Sequence, residues 1–202
     1  MMKPPNSLSL SLINLIMLER YSIVFHPPLE IIEQVEALKL DLGSTIGWFP
    51  SRNSKAHITI QEFMVDESKL KLIVKQLERC CNSLQPTTVK FNVFDHFNNG
   101  AFYIKPDRES TTILTALMKQ IQKTVPTPNT HRGTNPHLTI ARRLSPENII
   151  IAHQILKPTE IAFLCDTVAL RQFNASQKQF EVIQLFPFLN QADPLGVQGS
   201  LF

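Results

Sequence analysis

At 202 residues and 43% hydrophobic content, the chain can bury the core of one domain or of two small, closely packed lobes, which excludes a disordered or fibrous class. Its 20 basic and 17 acidic residues leave a net charge of +3, too little for a protein that coats nucleic acid by charge alone. The three cysteines, Cys80, Cys81 and Cys165, have neither the number nor the spacing of a disulfide framework or a zinc site, and they fit a reducing compartment.

Residues 8–18 form an apolar run after Lys3. The run is short of the roughly 20 residues that span a bilayer, and no small-residue cleavage site separates it from the strand-like segment beyond. Residues 1–18 are therefore read as a flexible N-terminal extension of a cytoplasmic protein that makes no membrane contact. Translation starts at Met1 or at Met17.

From there the elements come in order. Residues 20–25 are rich in aromatic and β-branched side chains and stop at His26-Pro27-Pro28, which reads as a strand. Ile31, Val35, Leu38 and Leu42 recur at helical spacing, so a helix is expected over 29–42 with Gly43 as its stop. Residues 44–55 read as a loop, 57–63 as a strand, 66–84 as an amphipathic helix closed by Pro86, and 87–95 as a half-buried strand with Val89, Phe91 and Val93 on one face. Asn98-Asn99-Gly100 predicts a hairpin turn into a strand over 101–105. A helix over 110–125, a loop over 126–135, a strand from 137 and a helix over 148–156, started by Ser145-Pro146-Glu147, come next. Residues 161–173 and 179–186 look like an antiparallel pair, and 190–202 like a tail.

Two stretches repeat. Ala56-His57-Ile58-Thr59-Ile60 returns 80 positions later as Pro136-His137-Leu138-Thr139-Ile140, at the same step of two matching series, strand, helix, motif strand, helix, strand, over 20–95 and 101–173. Two such α+β lobes, packed about a pseudo-twofold axis, would bring both motif strands to one cleft. Alternation on a strand puts His57 with Thr59, and His137 with Thr139, on one face, while the aliphatic residues anchor the other.

A pair of imidazoles can supply one general base and one general acid at neutral pH, and threonine hydroxyls can donate to non-bridging phosphate oxygens. No carboxylate or thiolate stands beside the histidines at ligand spacing, so neither metal nor cofactor is expected. One such motif alone would more often be an ordinary amphipathic strand; the duplication at equivalent steps is what favours a site.

The paired motif resembles the signature of the two-histidine phosphoesterase superfamily, with its 2′-5′ RNA ligase-like (LigT-like) proteins and RNA 2′,3′-cyclic phosphodiesterases. The resemblance runs over residues 19–189. It implies a bilobal α+β fold of two antiparallel sheets with flanking helices around a central cleft, and a metal-free site with His57, His137, Thr59 and Thr139 as catalytic residues. It implies hydrolysis of a 2′,3′-cyclic phosphate, on an RNA end or a small nucleotide, to a 2′-phosphate, and reversible joining of RNA ends through a 2′-5′ bond. It leans towards His137 as base and His57 as acid, although pseudo-symmetry makes these roles interchangeable on the sequence.

Arg142 matches the family's His-x-Thr-x-x-Arg form, whereas strict alternation puts Arg143 on the cleft side, and the choice stays open. Arg132 and Trp48 are further candidates for substrate binding. Arg52, Lys55, His131 and Arg132 could form a rim that attracts phosphates, although loop charges are more often merely solvated, and Phe49 and Tyr103 are aromatics more suited to the core. His26, His96 and His153 read as structural or surface residues. A monomer is expected, and the competing reading of the same cleft is a module that binds RNA ends or a phosphorylated metabolite without turnover.

Overall fold

The computed structural model describes residues 17–192 apart from 129, 158 and 159. The expectations for 1–16 and for 193–202 lie outside the described residues. Nine strands and four helices are described: β1 (Glu19–Phe25), α1 (Leu29–Ile46), β2 (Ile58–Val65), α2 (Glu67–Ser83), β3 (Thr87–His96), β4 (Phe102–Pro106), α3 (Arg108–Thr124), β5 (His131–Arg132), β6 (Leu138–Ala141), α4 (Pro146–Ile155), β7 (Ile161–Cys165), β8 (Thr167–Asn174) and β9 (Gln179–Pro187). They form an α+β fold with two antiparallel sheets, ordered β5-β2-β1-β8-β9 and β6-β4-β3-β7.

The sheets exchange strands. β1 lies between β2 and β8, and β4 lies between β6 and β3. The third strand of the first repeat, β3, is thus built into the sheet begun by β4. The expected single strand over 161–173 is in fact two: it breaks at Asp166, β7 pairing with β3 in one sheet and β8 with β1 in the other. Helices cross over as well, α1 packing on β6 and α3 on β2. One continuous core, including Phe25, Ile58, Ile60, Phe91, Leu138 and Ile140, runs through both halves.

Local chemistry places the helices. Asp66, Asp107 and Ser145 accept from the backbone N–H of Lys69 (3.0 Å), Ser110 (2.7 Å) and Asn148 (3.2 Å), capping α2, α3 and α4. α1 departs from expectation by running through Gly43 to Ile46. It ends at Gly47, whose φ of +79° suits glycine and whose N–H returns to the Gly43 carbonyl. Gly43 has a different use: a β-carbon there would sit 3.0 Å from the Arg52 guanidinium carbon, so the missing side chain makes room for Arg52. The expected loop over 126–135 also contains a short edge strand, β5, which pairs with Gln61 and Glu62 of β2.

Candidate active site

His57 and His137 each stand one residue before a motif strand, β2 and β6. Ile58, Ile60, Leu138 and Ile140 are fully buried beneath them. At about 1.5–3 kcal/mol for each large side chain, this burial is the main force holding the two strands. His57, Thr59, His137 and Thr139 stay half-buried on the other face.

Both strands bulge at the same place. β1 meets β2 as Val24 with Thr59 and then Ile23 with Gln61, passing over Ile60. β4 meets β6 as Tyr103 with Thr139 and then Phe102 with Ala141, passing over Ile140. The extra residue puts two consecutive side chains into the core, Ile60 with Gln61 and Ile140 with Ala141, all fully buried. Alternation beyond each bulge is therefore reset, and Arg142 follows Thr139 on its face of the strand. Arg143 begins the next turn at φ +56° and is exposed.

The loop leading into each motif braces the bulge of the other. Before the first motif, the Ser51 hydroxyl donates to the Ile140 carbonyl (3.4 Å). Before the second, the Gly133 N–H donates to the Ile60 carbonyl (2.9 Å), and the Gln122 side-chain amide donates to both Ile60 O (2.8 Å) and Gly133 O (2.9 Å). Gly133 has no room for a side chain: a β-carbon would lie 2.3 Å from the Thr59 carbonyl oxygen.

The two imidazoles are oriented alike. Nδ1 of His57 bonds the carbonyl of Lys55 (2.7 Å) and Nδ1 of His137 the carbonyl of Asn135 (2.8 Å), each two residues back. A carbonyl can only accept, so Nδ1 carries the proton in both rings and Nε2 keeps the lone pair. His137 also touches the stacked pair Phe97 and Tyr103, with ring centres 5.3 and 5.0 Å from its own.

Both rings have a lowered proton affinity. Desolvation is the first cause in each. At His57 the charges of Arg171, Arg142 and Lys39 add to it, the bond to Lys55 opposes it, and the ring's pKa falls well below the usual imidazole value. His137 is lowered too, with Arg142 adding to desolvation and the bond to Asn135 opposing it. Arg142 therefore acts electrostatically on both histidines.

The other sequence candidates fall in different places. Trp48 is 72% exposed in the loop after α1, whereas Phe49 and Tyr103 are buried. Arg132 and His131 are exposed on β5, Arg52 packs on Gly43, and Lys55 serves through its carbonyl. His96 and His153 meet one another at 3.3 Å, apart from the motifs. The three cysteines are buried and none is in a disulfide.

Two buried cations near the motifs were not anticipated. Lys39 interrupts the buried stripe Ile31, Ile32, Val35 and Leu42 of α1, and that interruption was a readable signal. Arg171 lies opposite Ser22 on β8, is buried, and donates from Nε to the Ser22 hydroxyl (3.0 Å). Burial and Arg142 lower its pKa to about 10, with Glu62 opposing. Among the described residues no three His, Cys, Asp or Glu cluster in a way that could hold a metal ion, and no helix is long and apolar enough to cross a membrane.

Two strand-exchanged antiparallel sheets, each presenting one His-x-Thr strand, define the class of two-histidine phosphoesterases. The family model for the 2′-5′ RNA ligase superfamily matches residues 27–177, and the chain belongs to that superfamily. The fold is similar to that of LigT from E. coli in its apo form, at a TM-score of 0.66, 16% identity, and coverage of 84% of this chain and 97% of that one. LigT complexed with 3′-AMP aligns at a TM-score of 0.63, 15% identity and coverage of 85% and 98%. TT0787 of Thermus thermophilus aligns at 0.58 and 15%, covering 86% of this chain and all of that one. At these identities the likenesses establish the fold. No curated protein matches the sequence.

Proposed function

We propose that the chain is a metal-independent phosphodiesterase that opens a 2′,3′-cyclic phosphate, at an RNA end or on a small nucleotide, to give a 2′-phosphate. The observation that carries this reading is the duplicated imidazole: two histidines, each with Nδ1 tied to a carbonyl two residues back, so that each offers Nε2 for proton transfer. A module that only binds phosphate has no use for two matched proton carriers.

In this mechanism His137 takes a proton from water as its oxygen attacks phosphorus. The bond from phosphorus to the ribose 3′ oxygen breaks, and His57 protonates that oxygen. Thr59 and Thr139 donate to the non-bridging oxygens, and Arg142 balances their charge. His57 must hold a proton to act as acid. The anionic substrate supplies the condition, because its charge offsets the cations that otherwise oppose protonation. Attack by a 5′ hydroxyl in place of water gives the 2′-5′ joining reaction by the same route.

LigT was crystallised with 3′-AMP, with ATP and with NADP+, and a nucleotide substrate is consistent with those ligands. We take residues 19–189 as one catalytic unit acting as a cytoplasmic monomer. The test is to supply a nucleoside 2′,3′-cyclic phosphate in the presence of a chelator and identify the product. A 2′-phosphate that disappears in both His57→Ala and His137→Ala is the expected result. Strict dependence on added metal, or tight binding of unchanged substrate, would overturn the proposal.

A further inference from the structure

Lys39 and Arg171 are the two buried charged residues among those described. A lysine ammonium carries three donor protons and no acceptor, and it is tolerated away from water only when those protons find partners. Lys39 finds them in one loop. Its Nζ donates to the Ser51 carbonyl (3.4 Å) and, at short range, to the Ser54 carbonyl. The same loop carries internal turn bonds, Arg52 N–H to Phe49 O (3.1 Å) and Ser54 N–H to Ser51 O (3.0 Å), and it lays Arg52 on Gly43 of α1.

That loop has two exits. Its C-terminal end leads within three residues to His57, whose ring is oriented by the Lys55 carbonyl. Its Ser51 hydroxyl donates across the core to Ile140 O, at the bulge that directs Arg142. One ammonium thus lies at the base of contacts that reach both motifs.

We propose that Lys39 is a positioning residue for both halves of the site, holding the 51–54 loop and, through it, the approach to His57 and the bulge before Arg142. The role in turnover rests on the phosphodiesterase reading above; the mechanical role does not. Methionine fills the apolar helix stripe but leaves the Ser51 and Ser54 carbonyls without their donor, so Lys39→Met costs some stability in any case, and the positioning role is read from where exchange quickens and from kcat.

The charge itself also titrates in a useful range. Burial and the Arg142 charge lower the Lys39 pKa to about 8, with Glu36 opposing. The charged groups facing it are Glu36 on α1 and Arg142 beyond β6, and the titratable His57 ring stands before β2. Once the ammonium loses its proton, its two bonds to carbonyls are no longer charge-assisted and weaken. Activity should fall as pH rises through about 8. Lys39→Arg, which keeps its charge, should lose the part of that limb due to Lys39 and keep the part set by His57 as acid.

The test compares the full-length wild type with Lys39→Met, Lys39→Arg, Ser51→Ala and the Lys39→Met/Ser51→Ala pair. Amide hydrogen exchange is read alongside kcat and KM for a nucleoside 2′,3′-cyclic phosphate, across neutral to alkaline pH. In Lys39→Met, exchange should quicken at 51–55 and at 140–142 and stay unchanged in the β8–β9 hairpin. Its kcat, measured well below its melting temperature, should drop about tenfold or more, as expected when reacting groups are misplaced rather than removed. Ser51→Ala should loosen 140–142 alone, and the double variant should be no worse than Lys39→Met. Unchanged exchange in Lys39→Met, or loosening at 51–55 with wild-type kcat, would overturn the inference. If Lys39→Met does not fold, Lys39→Gln, which keeps a neutral donor, takes its place, and unchanged exchange at 51–55 and 140–142 in that variant overturns the inference. If the wild type does not turn over any cyclic phosphate, the proposed reaction fails, and the exchange data still settle the role of Lys39.

Discussion

Replacing Gly133 by alanine tests whether the two motifs are mechanically joined. The added β-carbon would stand 2.3 Å from the Thr59 carbonyl oxygen, 2.9 Å from Met118 Cε and 3.3 Å from the Ile60 carbonyl oxygen. The methionine tip can swing away, but the Thr59 carbonyl belongs to β2. Ordinary contact begins near 3.4 Å, so one backbone must retreat from the other by roughly 1 Å. The Gly133 N–H bond to Ile60 O, now 2.9 Å, would stretch with it. Overpacking of this kind costs about 1–3 kcal/mol, which for a chain this long lowers the melting temperature by roughly 2–12 °C. A shift of about 1 Å in reacting groups costs on the order of a hundredfold in rate, so kcat should fall further than stability alone explains. Thermal unfolding and cyclic-phosphate turnover, measured on the same preparation, are the assay. A Gly133→Ala protein with lowered stability but wild-type kcat would refute the mechanical link, and wild-type values of both would refute the packing itself.

Single replacements His57→Ala and His137→Ala should each cost about 100- to 10,000-fold in kcat, the usual worth of a positioned acid or base, and the double variant should lose less than the product of the two. Arg142→Ala should raise KM and increase the proton affinity of both rings, seen as a rise in their NMR titration midpoints, whereas Arg143→Ala should move neither midpoint; equal effects would contradict the placement made by the bulge. Stability should also depend on pH. His26, His57 and His137 all titrate below the ordinary 6.5 in the folded chain, chiefly through desolvation, so as pH falls below about 6.5 the unfolded chain takes up protons first. The urea midpoint should therefore hold between about pH 6.5 and 8, drop below that window, and drop less steeply in His57→Gln; a flat profile below pH 6.5 would contradict the depressed values.

The parts of the fold legible in the sequence were those set by local periodicity and capping. Ser145 announces α4 by type and position, and Asn98-Asn99-Gly100 announces the β3–β4 hairpin, whereas the cap Asp107 was missed and α3 begins at Arg108 rather than at 110. The break at Asp166 was hidden because no glycine or proline interrupts Cys165-Asp166-Thr167; the chain changes sheet in extended conformation, with β-branched and aromatic residues on both sides. Gly43 was misleading for the opposite reason. A lone glycine near the end of a helical stripe reads as a stop, yet here it clears space for Arg52, and Gly47 ends the helix.

The candidate site divides in the same way. The duplicated His-x-Thr pattern is local and readable, and so in retrospect is a lysine within an apolar stripe. A bulge is different, because it is a property of how two strands pair, and only the adjacent buried residues Ile140-Ala141 hint at it. The bracing of each motif by the loop before the other depends on contacts between Ser51 and Ile140 and between Gly133 and Ile60, far apart in the chain. Such contacts exist only once the sheets have exchanged strands and α1 has crossed to β6. Neither half of the chain, then, builds its own motif. Each histidine stands on a strand whose bulge is closed by the other half, so the site forms only with the whole fold, and a substitution at Ser51 or Gly133 acts on the motif 80 positions away as well as on its own.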